Sequence, residues 1–255
     1  MLPLDEGGVL SLVGAGGKTT FMLSLARELA AAGNTVLTTT TTKILMPAKE
    51  QSTSMVISAD PVQVIAKAGN LLHRYRHITA AREHLASQGK LAGFEPDVIN
   101  RLWETKMFRW ILVEADGAAQ RPLKAPASHE PVIPPCSTLI VAVVGLDVIG
   151  KSLDDRWVFR SQLYSQMTGV PPGSPVTERS VATMILHDKG LMKGCPSDAR
   201  RYVLLNKAED EHTFRAGRRI GSLLWQDGKG RLEKVLIGSM GKHPPHVERY
   251  DPETG

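Results

Sequence analysis

The sequence predicts an α/β fold with a doubly wound, mostly parallel sheet. Short apolar runs alternate with segments of helical period, and a glycine-rich turn joins the first run to the first helical segment. With 255 residues, 42% of them apolar, the chain can bury one substantial core. We expect a single domain over residues 1–242 and a poorly ordered tail over residues 243–255.

The first predicted elements are a strand over residues 9–13 and, after the glycine-rich turn, a helix over residues 21–32. Two further strands are predicted at residues 35–40 and 55–58, and Asp60-Pro61 predicts the start of another helix. Because strands and helices alternate, we expect parallel strands joined by crossover helices.

An inserted region at the sheet edge is predicted around residues 70–108, where the periodic pattern weakens. Residues 78–80 and 90–92 are short strand-like segments on either side of Gly89. We interpret them as an irregular strand pair at that edge.

The second half of the chain repeats the alternation. Buried strands are predicted at residues 110–114, 139–144, 202–205 and 235–237. Helices are predicted at residues 154–168, 177–187 and 209–225. A long proline-rich loop, residues 117–135, separates the first two of these strands, and loops of this length are usually functional or disordered. Ligands of such sheets bind at the carboxyl ends of the strands.

Composition excludes several classes of function. The net charge of +5 suits an anionic ligand, but the basic residues are scattered among acidic ones, so nucleic acid is an unlikely partner. The widely separated Cys136 and Cys195 form neither a zinc motif nor a disulfide framework, which indicates a reducing compartment. No stretch approaches the roughly 18 apolar residues of a membrane span, so a cytoplasmic location without membrane insertion is expected.

The glycine-rich turn reads Gly14-Ala15-Gly16-Gly17-Lys18-Thr19-Thr20. Backbone amides and the helix dipole at such a turn attract phosphate, Lys18 can reach the β- and γ-phosphates, and the Thr19 hydroxyl can bind Mg²⁺. The first glycine of the longer, commoner phosphate-loop motif falls on Leu12, so this is the shorter GxxGKT loop, which resembles that of Mur-type peptide ligases. The alternative is a strand-to-helix turn with an incidental lysine.

Two carboxylates, Glu114 and Asp116, follow a predicted buried strand. Because the two carboxylates are two residues apart, they face the same side of an extended chain. They could together hold Mg²⁺ or polarise an attacking water. An acidic strand end that caps the next loop is the alternative. The threonine run from Thr38 to Thr42 offers hydroxyls beside the phosphate loop, or reflects β-propensity alone.

A possible base-reading element is Asn206-Lys207-Ala208-Glu209, which resembles the NKxD element by which many GTPases bind guanine. Glu209 stands where Asp is usual, and Asp210 could serve instead with a shift of register. An Asn-Lys helix cap is the alternative. ATP and GTP both remain open as ligands.

Taken in order, these motifs resemble the YqeC family over nearly the whole chain. The matching segments are residues 14–20, 38–43 and 114–117, Pro122-Leu123-Lys124-Ala125-Pro126 with His129-Glu130-Pro131, Gly145-Leu146-Asp147, and Asn206-Lys207. That family is described as accessory proteins of selenium-dependent hydroxylases. The resemblance implies a role in maturing molybdenum hydroxylases, with a molybdopterin species or the hydroxylase as partner. Lys124 and His129 become candidates for contact with a second substrate, unless their loop is only a proline-braced surface segment.

Three functions follow as hypotheses. The first is an accessory protein that hydrolyses a nucleoside triphosphate with Mg²⁺. The second is a nucleotide-gated module that carries a cofactor or docks a hydroxylase without hydrolysis. The third is an ATP-dependent kinase or ligase like the Mur enzymes, which would need an acceptor.

Overall fold

A computed structural model describes residues 2–228, 230–241 and 246–250. In these residues the strands are β1 (Gly8–Gly14), β2 (Val36–Thr40), β3 (Lys43–Leu45), β4 (Met55–Ile57), β5 (His77–Ala81), β6 (Glu83–Leu85), β7 (Lys90–Ala92), β8 (Trp110–Glu114), β9 (Leu123–Lys124), β10 (Leu139–Gly145), β11 (Val158–Phe159), β12 (Arg200–Asn206), β13 (Lys234–Ser239) and β14 (His246–Arg249). The helices are α1 (Lys18–Ala31), α2 (Pro61–Leu72), α3 (Pro96–Glu104), α4 (Ser161–Thr168), α5 (Glu178–Leu186) and α6 (Glu211–Asp227).

A central sheet of the described residues has nine strands in the order β14-β13-β12-β10-β1-β8-β2-β5-β4. Every neighbouring pair is parallel except β13 with β14. The strands β1, β8 and β10 are buried along their whole length, as expected for a parallel sheet covered on both faces.

Helices cover both faces of this sheet. On β1, Leu10 and Leu12 pack in one core with α1, whereas Val9 packs with α2 and α3, and Val13 packs with α4, α5 and α6. Neighbouring residues of a strand point to opposite faces, so α1 covers one face and the other helices cover the opposite face. The predicted doubly wound α/β fold is confirmed.

The chain reverses its direction of winding around β1. It leaves β1 through α1 to reach β2 on one side, whereas it leaves β10 to reach β12 on the other. At such a point the loops after neighbouring strands separate and open a crevice. The carboxyl ends of β1, β8, β10 and β12 lie side by side at this crevice. They carry the glycine-rich loop, Glu114, Gly145 and Asn206.

The region around residues 70–108 departs from the predicted edge strand pair. Strand β5 lies inside the central sheet, between β2 and β4, and is almost fully buried. Strand β7 instead joins β3 and β6 in a small antiparallel sheet. The pairing prediction was wrong because the sequence does not show that β2 and β4 flank β5.

Two further differences concern segment ends. The helix predicted from residue 154 begins only at Ser161, because Arg160 has a positive φ of 62° that a continuous helix does not allow. The tail predicted to be poorly ordered from residue 243 falls partly outside the described residues, but within it β14 pairs with β13. Among the described residues, no helix combines the length and apolar character of a membrane span.

Candidate functional site

The glycine-rich loop is shaped by backbone conformations that favour glycine. Gly16 and Gly17 have φ values of 85° and 126°, and an added Cβ would collide with the Gly145 amide at the first and with the Asn206 side chain at the second. Helix α1 begins directly afterwards, and no side chain caps its first amides. Those amides, together with the positive end of the helix dipole, can accept an anion.

Lys18 is folded back into the protein rather than extended from the loop. Its Nζ donates to the Gly14 carbonyl at 2.6 Å and lies 3.0 Å from Asp116 Oδ1 and 3.6 Å from Glu114 Oε1. Only 4% of the residue is exposed. Burial alone would lower the lysine pKa, but the two carboxylates outweigh it and raise the pKa above its ordinary value. Lys18 therefore remains charged in this position.

Asp116 connects the loop to the rest of the site. It is fully buried, and its Oδ2 accepts from the Gly14 amide at 3.0 Å and lies 3.0 Å from Lys124 Nζ. Its Oδ1 contacts Lys18 as an ion pair whose geometry is poor for a hydrogen bond. The carboxylate thus holds the start of the loop and two lysines at once.

Glu114 is the carboxylate that faces the loop's threonine. The Thr19 hydroxyl donates to Glu114 Oε2 at 2.6 Å. Burial raises the glutamate pKa, and the opposing effect of Lys18 does not cancel that rise. Glu114 is therefore held between the Thr19 hydroxyl and the Lys18 ammonium.

Two threonines of the run from Thr38 to Thr42 form hydrogen bonds between neighbouring strands of the sheet. Thr38 hydrogen-bonds with His77 and Thr79, and Thr40 donates to the Glu114 carbonyl at 2.7 Å. These contacts fix β2 against its neighbours and hold the end of β8, a structural role beyond simple β-propensity.

The proline-rich loop is anchored by a buried chain of charges. Lys124 is fully buried and lies 2.7 Å from Glu130 Oε2, and Arg160 donates to the same oxygen at 2.6 Å. Lys124, for which the family resemblance implies contact with a second substrate, here contacts Asp116 and Glu130. Arg160 was missed, because nothing in its sequence neighbourhood marks it as part of this chain. His129, which lies in the same loop, is exposed.

Asn206 and Lys207 are both occupied by protein partners, and Asn206 contacts the glycine-rich loop. Asn206 Nδ2 donates to the Gly16 carbonyl at 2.7 Å, and its Oδ1 accepts from the Met240 amide. Lys207 lies 2.7 Å from Asp147 Oδ2. Glu209 is exposed and accepts from Ser239 at 3.3 Å. Asp210, the alternative carboxylate, caps α6 through the Thr213 amide at 2.7 Å.

The donor atoms around Thr19 fit a magnesium ion that arrives with a phosphate ligand. Within the described residues, no cluster of three or more histidine, cysteine or acidic side chains could hold a metal by itself. Mg²⁺ commonly takes one or two protein oxygens and completes its shell with phosphate and water. The Thr19 hydroxyl and the Glu114 carboxylate are hard oxygen donors of that kind.

These residues border a cavity of about 980 Å³. Its walls include residues 16–20 of the loop, Glu114, residues 117–121 and His129. This volume lies at the upper end of the roughly 300–1,000 Å³ of small-molecule sites. Asp116, Lys124 and Asn206 stand behind the walls, whereas Lys18, Thr19 and Lys207 line them.

Two crystal structures of FtsY from Mycoplasma mycoides align with TM-scores of 0.42 and 0.36, each at 12% sequence identity over 96% and 98% of this chain. The chain spans 64% and 66% of those FtsY chains, and similarity this loose carries no argument about function.

Sequence similarity is stronger. The Escherichia coli K12 protein described as "Uncharacterized protein YqeC" is 31% identical over 248 residues, 95% of this chain and 91% of that protein. The model of the YqeC protein family matches residues 10–162, which include the glycine-rich loop and both carboxylates. The chain belongs to the YqeC family.

Proposed function

We infer that this protein binds a nucleoside triphosphate with Mg²⁺ and hydrolyses it in support of molybdenum hydroxylase maturation. The observation that carries the nucleotide part is the contact of Thr19 with Glu114 beside Lys18, at an uncapped helix start. Phosphate-loop proteins place a lysine, a hydroxyl and an acidic strand end together in this way. The maturation role rests on the family resemblance.

The triphosphate would take the place that the carboxylates now hold around Lys18. The loop amides would bind its phosphates, and Lys18 would turn from Gly14 and Asp116 toward the β- and γ-phosphates. Thr19 and Glu114 would hold Mg²⁺, which when bound neutralises charge on the phosphates. Asp116, buried and away from the cavity, would position Lys18 and the Gly14 amide instead of touching the ligand.

Glu114 is the better placed of the two carboxylates for chemistry. It lines the cavity and contacts Thr19, so it would place Mg²⁺ where the metal meets both the phosphates and the attacking water or acceptor. The nucleophile's identity separates hydrolysis from the kinase or ligase hypothesis, in which an added acceptor accelerates nucleotide consumption.

The nucleotide-gated module is favoured by one specific observation, the charge chain behind Lys18. Asp116 bridges Lys18 and Lys124, and Lys124 continues to Glu130 and Arg160. If Lys18 moves to the phosphates, Lys124 becomes the cation that neutralises Asp116. The ion pairs of Lys124, which anchor the proline-rich loop, would then change. Negligible turnover even with a hydroxylase partner present would favour this module over an enzyme.

Lys18→Ala should weaken triphosphate binding by at least about tenfold, or about 1.4 kcal/mol. The variant loses the cation that would contact the phosphates. Isothermal titration calorimetry measures the affinity, circular dichroism checks folding, and the exposed Lys189→Ala serves as control. Because Lys18 is buried, Lys18→Met, which keeps the stem, is measured in parallel. Near-normal affinity in either folded variant would contradict the phosphate-loop assignment.

Glu114→Gln should lower Mg²⁺-dependent turnover by about a hundredfold or more. Glutamine keeps the size and the contact with Thr19 but removes the charge. Phosphate release is followed across a Mg²⁺ titration, with Glu95→Gln, another acid that lines the cavity, as control. Unchanged hydrolysis would move the catalytic role away from Glu114.

Glu209→Ala should weaken GTP binding selectively if Glu209 accepts from the two guanine donors. Loss of hydrogen bonds to a charged acceptor costs roughly 1.5–3 kcal/mol, whereas ATP, which lacks the donor pair, should hardly change. Competition against labelled GTP measures both affinities. Displacement of GTP from the unmodified protein by an equal concentration of ATP would rule out guanine selectivity.

Glu130→Gln should remove a pH-dependent part of the free energy of unfolding. Burial would raise the Glu130 pKa, but hydrogen bonds from Arg160 and Lys124 outweigh it and lower the pKa from 4.5 to about 2. A lowered pKa stabilises the fold above pH 4.5, and this contribution is lost as the pH falls toward 2. We expect a deficit of about 1–3 kcal/mol near neutral pH that shrinks over this range.

Urea unfolding at a series of pH values measures that deficit. Glu211→Gln, which removes an exposed acid paired with Arg215, is the control and should show little change. A deficit of constant size at every pH would contradict the ion-pair assignment of Glu130.

A further inference from the structure

Three cations of the cavity wall belong to no element of the phosphate site. Lys43 lies on β3, Arg82 directly follows β5, and Lys90 begins β7. All three line the same cavity as the phosphate loop. We call Lys43, Arg82 and Lys90 the basic wall.

The fold directs Lys43 and Lys90 of this wall toward the cavity. In the small antiparallel sheet Lys43 lies opposite Ala92, and Leu45 lies opposite Lys90. Opposed residues share a face, so these four stand on one side of the sheet. Ile44 and Leu91, on the other side, are buried in the core with α1. The sheet is therefore anchored by its apolar face, and its cationic face borders the cavity.

The wall is also held against the central sheet. The Gly93 amide donates to the Thr42 carbonyl at 2.7 Å, and the Phe94 amide donates to the Thr40 carbonyl at 2.9 Å. An added Cβ at Gly93 would collide with the Thr40 carbonyl. This close approach fixes β7 beside the end of β2. Lys90 therefore projects from a strand that is held against the central sheet.

The basic wall differs from the other cations of the cavity in having no protein partner. Within the part of the chain that the structure describes, none of its three side chains makes a hydrogen bond or ion pair, whereas Lys18, Arg160 and Lys207 are each paired with a carboxylate. Two acids belong to the same region. Glu83 lies opposite Ala92, on the face of the small sheet that carries Lys43, and Glu95 lines the cavity. Of the other acids that line the cavity, Glu114 is paired with Lys18, and Glu130 is paired with Lys124 and Arg160. The three positive charges of the basic wall therefore favour an anionic ligand.

We propose that the basic wall binds the phosphate group of a second small molecule, which sits beside the nucleoside triphosphate in the same cavity. Arg82 offers planar, paired donors suited to phosphate oxygens, and two lysines add charge. Leu45, 47% exposed, and Phe159 give apolar surface for a ring or hydrocarbon portion of that molecule. The proposal rests on the proposed function for the identity of the first ligand and names the class of the second, a phosphomonoester.

The same cations could instead contact phosphates of the nucleotide itself. The experiment therefore distinguishes a phosphate of a second molecule from the phosphates of the nucleotide. Phenyl phosphate is the probe, with phenol as its uncharged match. Binding is measured by ligand-detected NMR and calorimetry, first alone and then with a saturating non-hydrolysable triphosphate and Mg²⁺. The variant is Lys43→Ala with Arg82→Ala. The control, Lys49→Ala with Arg101→Ala, removes the same charge from exposed positions outside the cavity.

We expect phenyl phosphate, but not phenol, to bind the unmodified protein in both conditions. The wall variant should lose at least about tenfold in probe affinity and keep its triphosphate affinity within about twofold, while the control changes neither. Absence of probe binding to a protein that binds triphosphate normally would overturn the wall proposal alone. A wall variant that loses triphosphate affinity would assign the wall to the nucleotide and also overturn it. Probe binding without triphosphate binding would leave the wall standing and contradict the proposed function.

Discussion

The buried carboxylate of Asp116 is the constraint on which the site depends. A charge removed from water costs several kcal/mol unless cations and hydrogen-bond donors surround it. Here the Gly14 amide, Lys18 and Lys124 supply that surrounding. They come from the glycine-rich loop and the proline-rich loop, so one carboxylate at the end of β8 fixes two loops that are distant in sequence.

The same arrangement sets a competition for Lys18. Lys18 neutralises Glu114 and Asp116, and under the proposed function a triphosphate would have to draw it away from both. The phosphates offer more negative charge than the carboxylates, and Mg²⁺ beside Glu114 would offset the charge left behind. Lys124 would remain to neutralise Asp116. This role accounts for the burial of Lys124, since a lysine that binds substrate would be exposed.

Charge around the cavity divides into two kinds. The first is paired and rigid, a network from Lys18 through Asp116, Lys124 and Glu130 to Arg160. The second consists of the unpaired cations of the basic wall, mounted on a small sheet whose other face is buried. The network suits a device that senses occupancy of the phosphate loop, whereas the wall suits capture of a mobile anion. Lys18, Glu130 and Arg160 of the network line the same cavity as the basic wall, which is the arrangement that the two proposed ligands require.

The sequence by itself determined the fold class, the glycine-rich loop, and the strand ends that carry Glu114 and Asn206. These features are local, since they depend on the period of apolar residues and on glycine positions within a few residues. Tertiary structure alone decided that β5 is central, that Lys124 is buried, that Arg160 joins Glu130, and that Lys43, Arg82 and Lys90 share a wall. Each of these depends on which distant strands become neighbours, and a single sequence contains no record of that pairing.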